Sequence, residues 1–281
     1  MDLDSLIRAS LNEDLGPGDL ATEATIPEDA AGRANIVAKE GTVVSGHRFA
    51  ARVFQMAGER CGGQVVYEPV EAAGSVVASG TVIARVFGSM RGILVGERPA
   101  LNLLMRACGI AARTKVHVDA AGDSGLRVVD TRKTTPLWRA LEKAAVRDGG
   151  GHNHRFGLFD GCMLKDNHIA AVGSLPEAVR RARREIHHMT RICVECATLE
   201  HVREACESGA DVLMFDNMDN DGLNQAVALA RSLRPESVLE ASGNMTAERI
   251  ATLHGIGLDV VSVGGLIHHA DWADLSLRVQ P

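Results

Sequence analysis

The chain is poor in aromatic side chains: Phe, Trp and Tyr together make up 3% of its 281 residues. A surface that stacks successive bases of a single strand needs several such rings, so that class of function is disfavoured. The interior must be built from Val, Leu, Ile, Ala and Met instead. No apolar run reaches membrane-spanning length. The opening residues, MDLDSLIRASLNEDLG, are acidic and amphipathic and lack the apolar centre of a secretory signal. There is no block of one charge sign, and the net charge is −6, whereas nucleic-acid-binding domains are generally basic. A cytoplasmic protein with neither nucleic-acid nor membrane partners is expected. GxxxxGK[ST], GxGxxG and GxSxG are all missing, which removes the P-loop, the dinucleotide fingerprint and the nucleophile elbow.

What is present is an ordinary globular composition, 46% apolar and 23% charged, long enough for one large domain or two smaller ones. The six cysteines (Cys61, Cys108, Cys162, Cys193, Cys196 and Cys206) are expected as free thiols in a reducing compartment. Cys193-Val-Glu-Cys196 has CxxC spacing, but its apolar context reads as a strand. Strand side chains alternate, so the two thiols are expected on opposite faces rather than as a metal or redox pair.

Two textures divide the chain near residue 110. Before it, residues 34–45 and 64–87 read as Val-rich strands and turns around a helix at 47–58, an α+β region. A long helix is expected from about Glu97 to Ala121. After it, apolar runs at 127–130, 161–165, 192–196, 211–216, 237–242 and 259–264 alternate with helices at 136–147, 175–187, 199–207, 221–233 and 247–254. Ser174-Leu-Pro-Glu177 has the form of a capping box, and Thr198 and Thr246 are candidate N-caps. This alternation predicts a parallel sheet, as a barrel with fewer than the usual units or as a doubly wound sheet.

In such folds ligands bind beyond the C-terminal ends of the strands. Those ends carry Asp130-Thr-Arg132-Lys133, Lys165-Asp-Asn-His168, Glu195, Asp216-Asn217, Glu240, Ser242 and Gly264-Gly265. Glu195, Asp216 and Glu240 fall 21 and 24 residues apart, one βα unit each time. A carboxylate in an apolar run is costly unless it is paired or bound to a metal, so the three converge either on a site or on local cations and helix caps. From Arg127 to His168 there are eight Lys or Arg against five Asp or Glu, a local +3 in an acidic chain. Arg132, Lys133, Arg155 and Lys165 lie in loops or at strand ends, suited to a small substrate with several negative charges. Gly149-Gly-Gly-His-Asn-His154-Arg155 lets backbone approach a ligand closely or simply stops a helix. His152 and His154 are candidate zinc ligands without a third ligand at familiar spacing. Ser242-Gly243-Asn244 and Gly264-Gly265 can offer backbone N–H groups to a phosphate.

Taken together, these segments resemble the quinolinate phosphoribosyltransferases, also called carboxylating nicotinate-nucleotide pyrophosphorylases. The resemblance rests on EDLGPGDLAT (13–22), ERPALNLLMRACGIA (97–111), DTRKTTP (130–136), LEKAAVRDGGGHNHR (141–155), LKDNH (164–168), VECATLE (194–200), FDN (215–217), EASGN (240–244) and SVGGLIHHA (262–270). It implies an α/β fold: an N-terminal α/β sandwich over residues 1–110, joined by the C-terminal segment 266–281, and an open, roughly seven-stranded α/β barrel over 111–265. It implies transfer of phosphoribosyl from phosphoribosyl pyrophosphate (PRPP) to quinolinate with loss of CO2. The acidic-pair loop of the common PRPP-binding transferases is missing, so PRPP would be bound differently.

The resemblance further implies a homodimer with shared sites, and dimers that can assemble into a hexamer are also considered. Arg132, His154 and Arg155, with Arg98 from the neighbouring subunit, would hold the quinolinate carboxylates. Lys133 and Lys165 would meet carboxylate or phosphate. Glu195 and Asp216 would bind ribose hydroxyls and the Mg2+ carried with PRPP. Ser242, Gly243, Asn244, Gly264 and Gly265 would cradle the 5'-phosphate. The chain departs from the common pattern at Leu137 (often Gly), Cys193 (often acidic), Asn244 (often Gly), Ile267 (often Thr) and His269 (often Ser), the last three bearing on the phosphate contacts. Competing readings are a relative found beside molybdenum-transport genes, a Schiff-base lyase using Lys133 or Lys165, and a non-catalytic metabolite-binding dimer.

Overall fold

A computed structural model describes residues 3–280. In chain order the elements are α1 (Leu3–Leu15), α2 (Leu20–Thr25), β1 (Ala31–Ala38), β2 (Thr42–Val43), α3 (His47–Arg60), β3 (Val65–Pro69), β4 (Val76–Val77), β5 (Val82–Ser89), α4 (Met90–Ala121), β6 (Arg127–Val129) and α5 (Arg139–Asp148). They continue with β7 (Cys162–Leu164), α6 (Asp166–Val172), α7 (Leu175–Glu185), β8 (Ile192–Cys196), α8 (Leu199–Glu207), β9 (Val212–Asp216), α9 (Asn220–Leu233), β10 (Val238–Ser242), α10 (Ala247–Ala251), β11 (Val260–Ser262), α11 (Gly265–His268) and β12 (Leu275–Gln280). Two compact units form. The first runs to Lys115 and adds Thr134–Gly150 and the residues from His269 onward; the second is Val116–Lys133 with Gly151–His268.

The first unit holds a four-stranded antiparallel sheet in the order β12-β1-β5-β3, with the last strand of the chain paired to the first. Its core includes Phe49, Phe54, Ile36, Ile83 and Leu104, each under 2% exposed. Such side chains contribute about 1.5–3 kcal/mol each on burial. The long helix begins at Met90, earlier than the expected Glu97. Gly92 and Gly96 weaken the helical signal there, since glycine costs about 1 kcal/mol in a helix interior. Their missing side chains are what packing requires: a Cβ at Gly92 would lie 2.8 Å from Gly58 Cα, and one at Gly96 would lie 2.8 Å from the Phe54 ring.

The second unit is a six-stranded parallel sheet in the order β6-β11-β10-β9-β8-β7. Beyond β6, His152 makes a parallel bridge to Val129, with His152 N–H donating to Val128 O at 2.8 Å and Asp130 N–H donating to His152 O at 3.1 Å. Counting that short segment, chain order runs once around the sheet and leaves an opening between His152 and β7. The strands agree with the expected runs to within a residue or two at each end, and α6 is an added helix. Ser174, Thr198 and Thr246 cap as expected, accepting from Glu177, His201 and Arg249 N–H respectively. The Ser174 box is half made: Glu177 pairs with Arg180 and Arg181 rather than reaching back.

Register decides which residues share the inner face. Glu195 lies opposite Met214, which lies opposite Glu240, which lies opposite Val260. One step on, Asp216, Ser242, Ser262 and Val129 are in register. Cys193 packs inside with Met163 and Met214, whereas Cys196, an odd number of residues on, is buried on the other face. All six cysteines are free, and the two of the CxxC spacing face opposite ways.

Candidate functional site

Twelve of the thirteen residues expected at a site lie in the second unit, at strand ends or in the loops that follow them. Arg98 lies in the first unit, exposed on α4. The three strand-end carboxylates all point inward. Glu195 and Glu240 flank Met214 on one rung, and Asp216 stands one rung nearer the mouth.

The cations stand against this wall. Lys165, at the end of β7, forms a direct ion pair with Glu195. Its backbone N–H donates to His168 Nδ1 at 3.1 Å, which starts α6 with the lysine at its N-cap. Lys165 is half-exposed in this pair, not enclosed in the apolar pocket that a Schiff-base amine uses, which disfavours the lyase reading. Lys133 lies along the phosphate-loop candidate: a Cβ on Gly264 would meet Lys133 Cδ at 3.0 Å. Arg155 donates from Nη1 to Gly161 O at 2.7 Å. Burial, and then the neighbouring charge of Arg132, hold its guanidinium below the usual arginine value. Two like charges that act on each other in this way favour an anion.

Asp130 organises the loop that carries His154 and Arg155. It is fully buried and accepts from His154 N–H at 2.8 Å and from Asn153 Nδ2 at 2.7 Å. By sequence Asp130 is only a strand end; the signal for its anchoring role is an acid that closes the short run Arg127–Val129. His154 Nδ1 accepts from Arg155 N–H at 2.8 Å, and its Nε2 faces Glu240 Oε1 at 3.6 Å.

The glycine-bearing ends of β10 and β11 form the remaining wall. Asn217 (φ 54°) and Asn244 (φ 46°) are left-handed, as is Gly243 (φ 97°). Asn217 N–H donates to Ser242 O at 3.0 Å, and its Nδ2 donates to Asp216 Oδ2 at 2.8 Å. It therefore ties the ends of β9 and β10 together. Among the described residues, no three His, Cys, Asp or Glu side chains converge as a metal site, and no helix is long and apolar enough to cross a membrane. The second unit thus gathers cations, carboxylates and a glycine-lined turn at one set of strand ends, an arrangement suited to a phosphorylated sugar and a polyanionic partner.

Comparison with known proteins agrees along the whole chain. The profile described as quinolinate phosphoribosyl transferase, N-terminal domain, matches residues 19–108, and that for the C-terminal domain matches 110–278. A probable nicotinate-nucleotide pyrophosphorylase [carboxylating] from Bacillus subtilis is 40% identical over 280 residues, 99% of this chain and 94% of that protein. A nicotinate-nucleotide pyrophosphorylase [carboxylating] from Mycobacterium leprae is 36% identical over 273 residues, covering 96% and 95%. The crystal structure of NadC from Streptococcus pyogenes superposes with a TM-score of 0.91 at 38% identity, covering 99% of this chain and 97% of that one. With both family domains matched in order and the fold shared end to end, this chain belongs to the quinolinate phosphoribosyltransferase family.

Proposed function

We propose that this chain is a carboxylating nicotinate-nucleotide pyrophosphorylase, converting quinolinate and PRPP to nicotinate mononucleotide, pyrophosphate and CO2 in NAD biosynthesis. The observation that carries the reading is the pairing of an Arg132–Arg155 cluster with inward carboxylates on β8 and β9 at one set of strand ends. Quinolinate brings two carboxylates for the arginines. PRPP brings phosphates for Lys133, Lys165 and the turns at Ser242–Asn244 and Gly264–Gly265. Mg2+ enters as part of the PRPP substrate. Such an ion takes one or two protein carboxylates and otherwise phosphate oxygens and water, which Glu195 and Asp216 on adjacent strands suit.

The chemistry needs orientation and charge more than a protein nucleophile. The pyridine nitrogen attacks the ribose anomeric carbon while the C–O bond to pyrophosphate breaks, its electron pair leaving with pyrophosphate. Glu195 and Asp216 stabilise positive charge developing on the ribose; Lys133 and Lys165 stabilise the departing anion. The new pyridinium then accepts the electron pair freed when the adjacent carboxylate leaves as CO2, and a proton replaces it. The working unit is a homodimer in which Arg98 of each chain completes the neighbouring site, and a cytoplasmic location fits the composition.

The test is an assay of purified protein with quinolinate, PRPP and Mg2+, following nicotinate mononucleotide and CO2. Product requiring all three supports the reading. No product from folded dimer, with nicotinate also tried in place of quinolinate, overturns it in favour of the molybdenum-associated relative or a binding protein.

A further inference from the structure

Glu240 is the carboxylate of the inner wall that the proposed chemistry leaves without a task. Its side chain is 5% exposed, and its Oε1 accepts no hydrogen bond. A buried carboxylate oxygen left unbonded is costly, and native interiors keep few of them. Glu195, its counterpart across Met214, is neutralised by Lys165. The group facing Glu240 Oε1 is His154 Nε2, at 3.6 Å, longer than a hydrogen bond.

The imidazole is held so that this approach has a direction. Its Nδ1 accepts from Arg155 N–H, so a neutral ring carries its proton on Nε2, the nitrogen turned towards Glu240. The backbone of His154 is fixed from the other side by Asp130. Glu240, His154 and the Arg155 backbone thus form one line from the barrel wall to the arginine cluster. The next charge along that line, the Arg155 guanidinium, is the one crowded by Arg132.

We infer that Glu240 is a positioning residue for the substrate's carboxylates: by accepting a hydrogen bond from His154 Nε2–H it sets the ring, and through the ring the main chain of Arg155. This rests on the reading of the Arg132–Arg155 cluster as the quinolinate subsite. At 3.6 Å the charge of Glu240 already acts on His154 Nε2 in the free enzyme, and in this proposal the gap shortens to a hydrogen bond when anionic substrate draws Arg155 inward. A carboxylate is needed there because only a strong, correctly placed acceptor selects one ring orientation.

The test uses the full-length enzyme. Glu240→Gln keeps the shape and removes the charge, and Glu240→Asp keeps the charge but withdraws it. Both are expected to raise KM for quinolinate about tenfold or more, the effect of weakening a hydrogen bond to a charged group, while KM for PRPP stays within a factor of about two. In a His154→Ala background, Glu240→Gln should add almost nothing. A merely structural role would instead lower Tm and raise both KM values alike. Nitrogen-15 NMR of the His154 ring reads the contact without substrate, and Glu240→Gln should shift the Nε2 resonance and leave Nδ1 nearly unmoved. An unchanged quinolinate KM in both variants, a full Glu240→Gln effect without His154, or an unmoved Nε2 signal overturns the inference. Wild-type enzyme that binds no quinolinate overturns the functional reading itself, and the NMR result, which needs no substrate, tells the two failures apart.

Discussion

The side-chain oxygen of Asn217 occupies the space that a Cβ at Gly243 would fill. Gly243 also has φ 97°, a conformation that L side chains rarely adopt. Gly243→Ala must therefore strain the turn and expel Asn217, which links Asp216 to the end of β10. The expected outcome is a loss of about 1–3 kcal/mol in stability and a rise in KM for PRPP larger than that for quinolinate. Urea denaturation and steady-state kinetics check the two parts separately.

Leu137 is left-handed as well, at φ 70°, and its side chain is 65% exposed. Burial gives back little for the strain, about 1–2 kcal/mol for a left-handed L residue. Glycine removes the strain but costs about 0.5–1 kcal/mol of unfolded-state entropy. Relief wins, so Leu137→Gly is expected to raise stability by about 0.5–1 kcal/mol. A lower midpoint in chemical denaturation would contradict this account of the position.

Burial pushes the thiols of Cys108 and Cys196 up to about 12. Their protonated forms favour the native state, so this contribution is complete below the ordinary thiol range near pH 9. It is lost as pH rises from there towards 12, because the unfolded chain releases protons that the folded chain retains. Stability should fall by at most about 1.4 kcal/mol per pH unit for each thiol. Denaturation curves at pH 8, 9 and 10 measure the slope, and Cys196→Ala should make it shallower.

The proposed sharing of each site between subunits makes a mixing experiment decisive. Arg98→Ala and Arg155→Ala are each expected to reduce kcat/KM by about 100-fold, the scale for losing a charge-assisted carboxylate contact. After subunit exchange, random pairing gives half heterodimers, each with one intact site, and hence about a quarter of wild-type activity. No recovery despite proven exchange would place Arg98 outside the site.

Much of this molecule is written locally. β8 is found at Ile192–Cys196, as the apolar run predicts, because a central parallel strand is buried on both faces. The caps at Ser174, Thr198 and Thr246 follow from single side chains beside helical patterns. The opposite facing of Cys193 and Cys196 needs only the two-residue period of a strand. The start of α4 was not legible, since Gly92 and Gly96 lower helix propensity for the sake of contacts with α3 that no local pattern reveals.

The amino-acid sequence by itself determined the family, the βα alternation and the cationic and acidic residues at strand ends, because each depends on residue identity and on periods of a few residues. Only the tertiary structure decided which of those charges meet. Strand register set Glu195 and Glu240 on one rung and gave Lys165 to Glu195 and His154 to Glu240. It also made Asp130 the buried anchor of the His154 loop and Asn217 the tie between β9 and β10. Pairing across a parallel sheet joins residues tens of positions apart, and the free energy that selects the partner comes from burial of the whole wall.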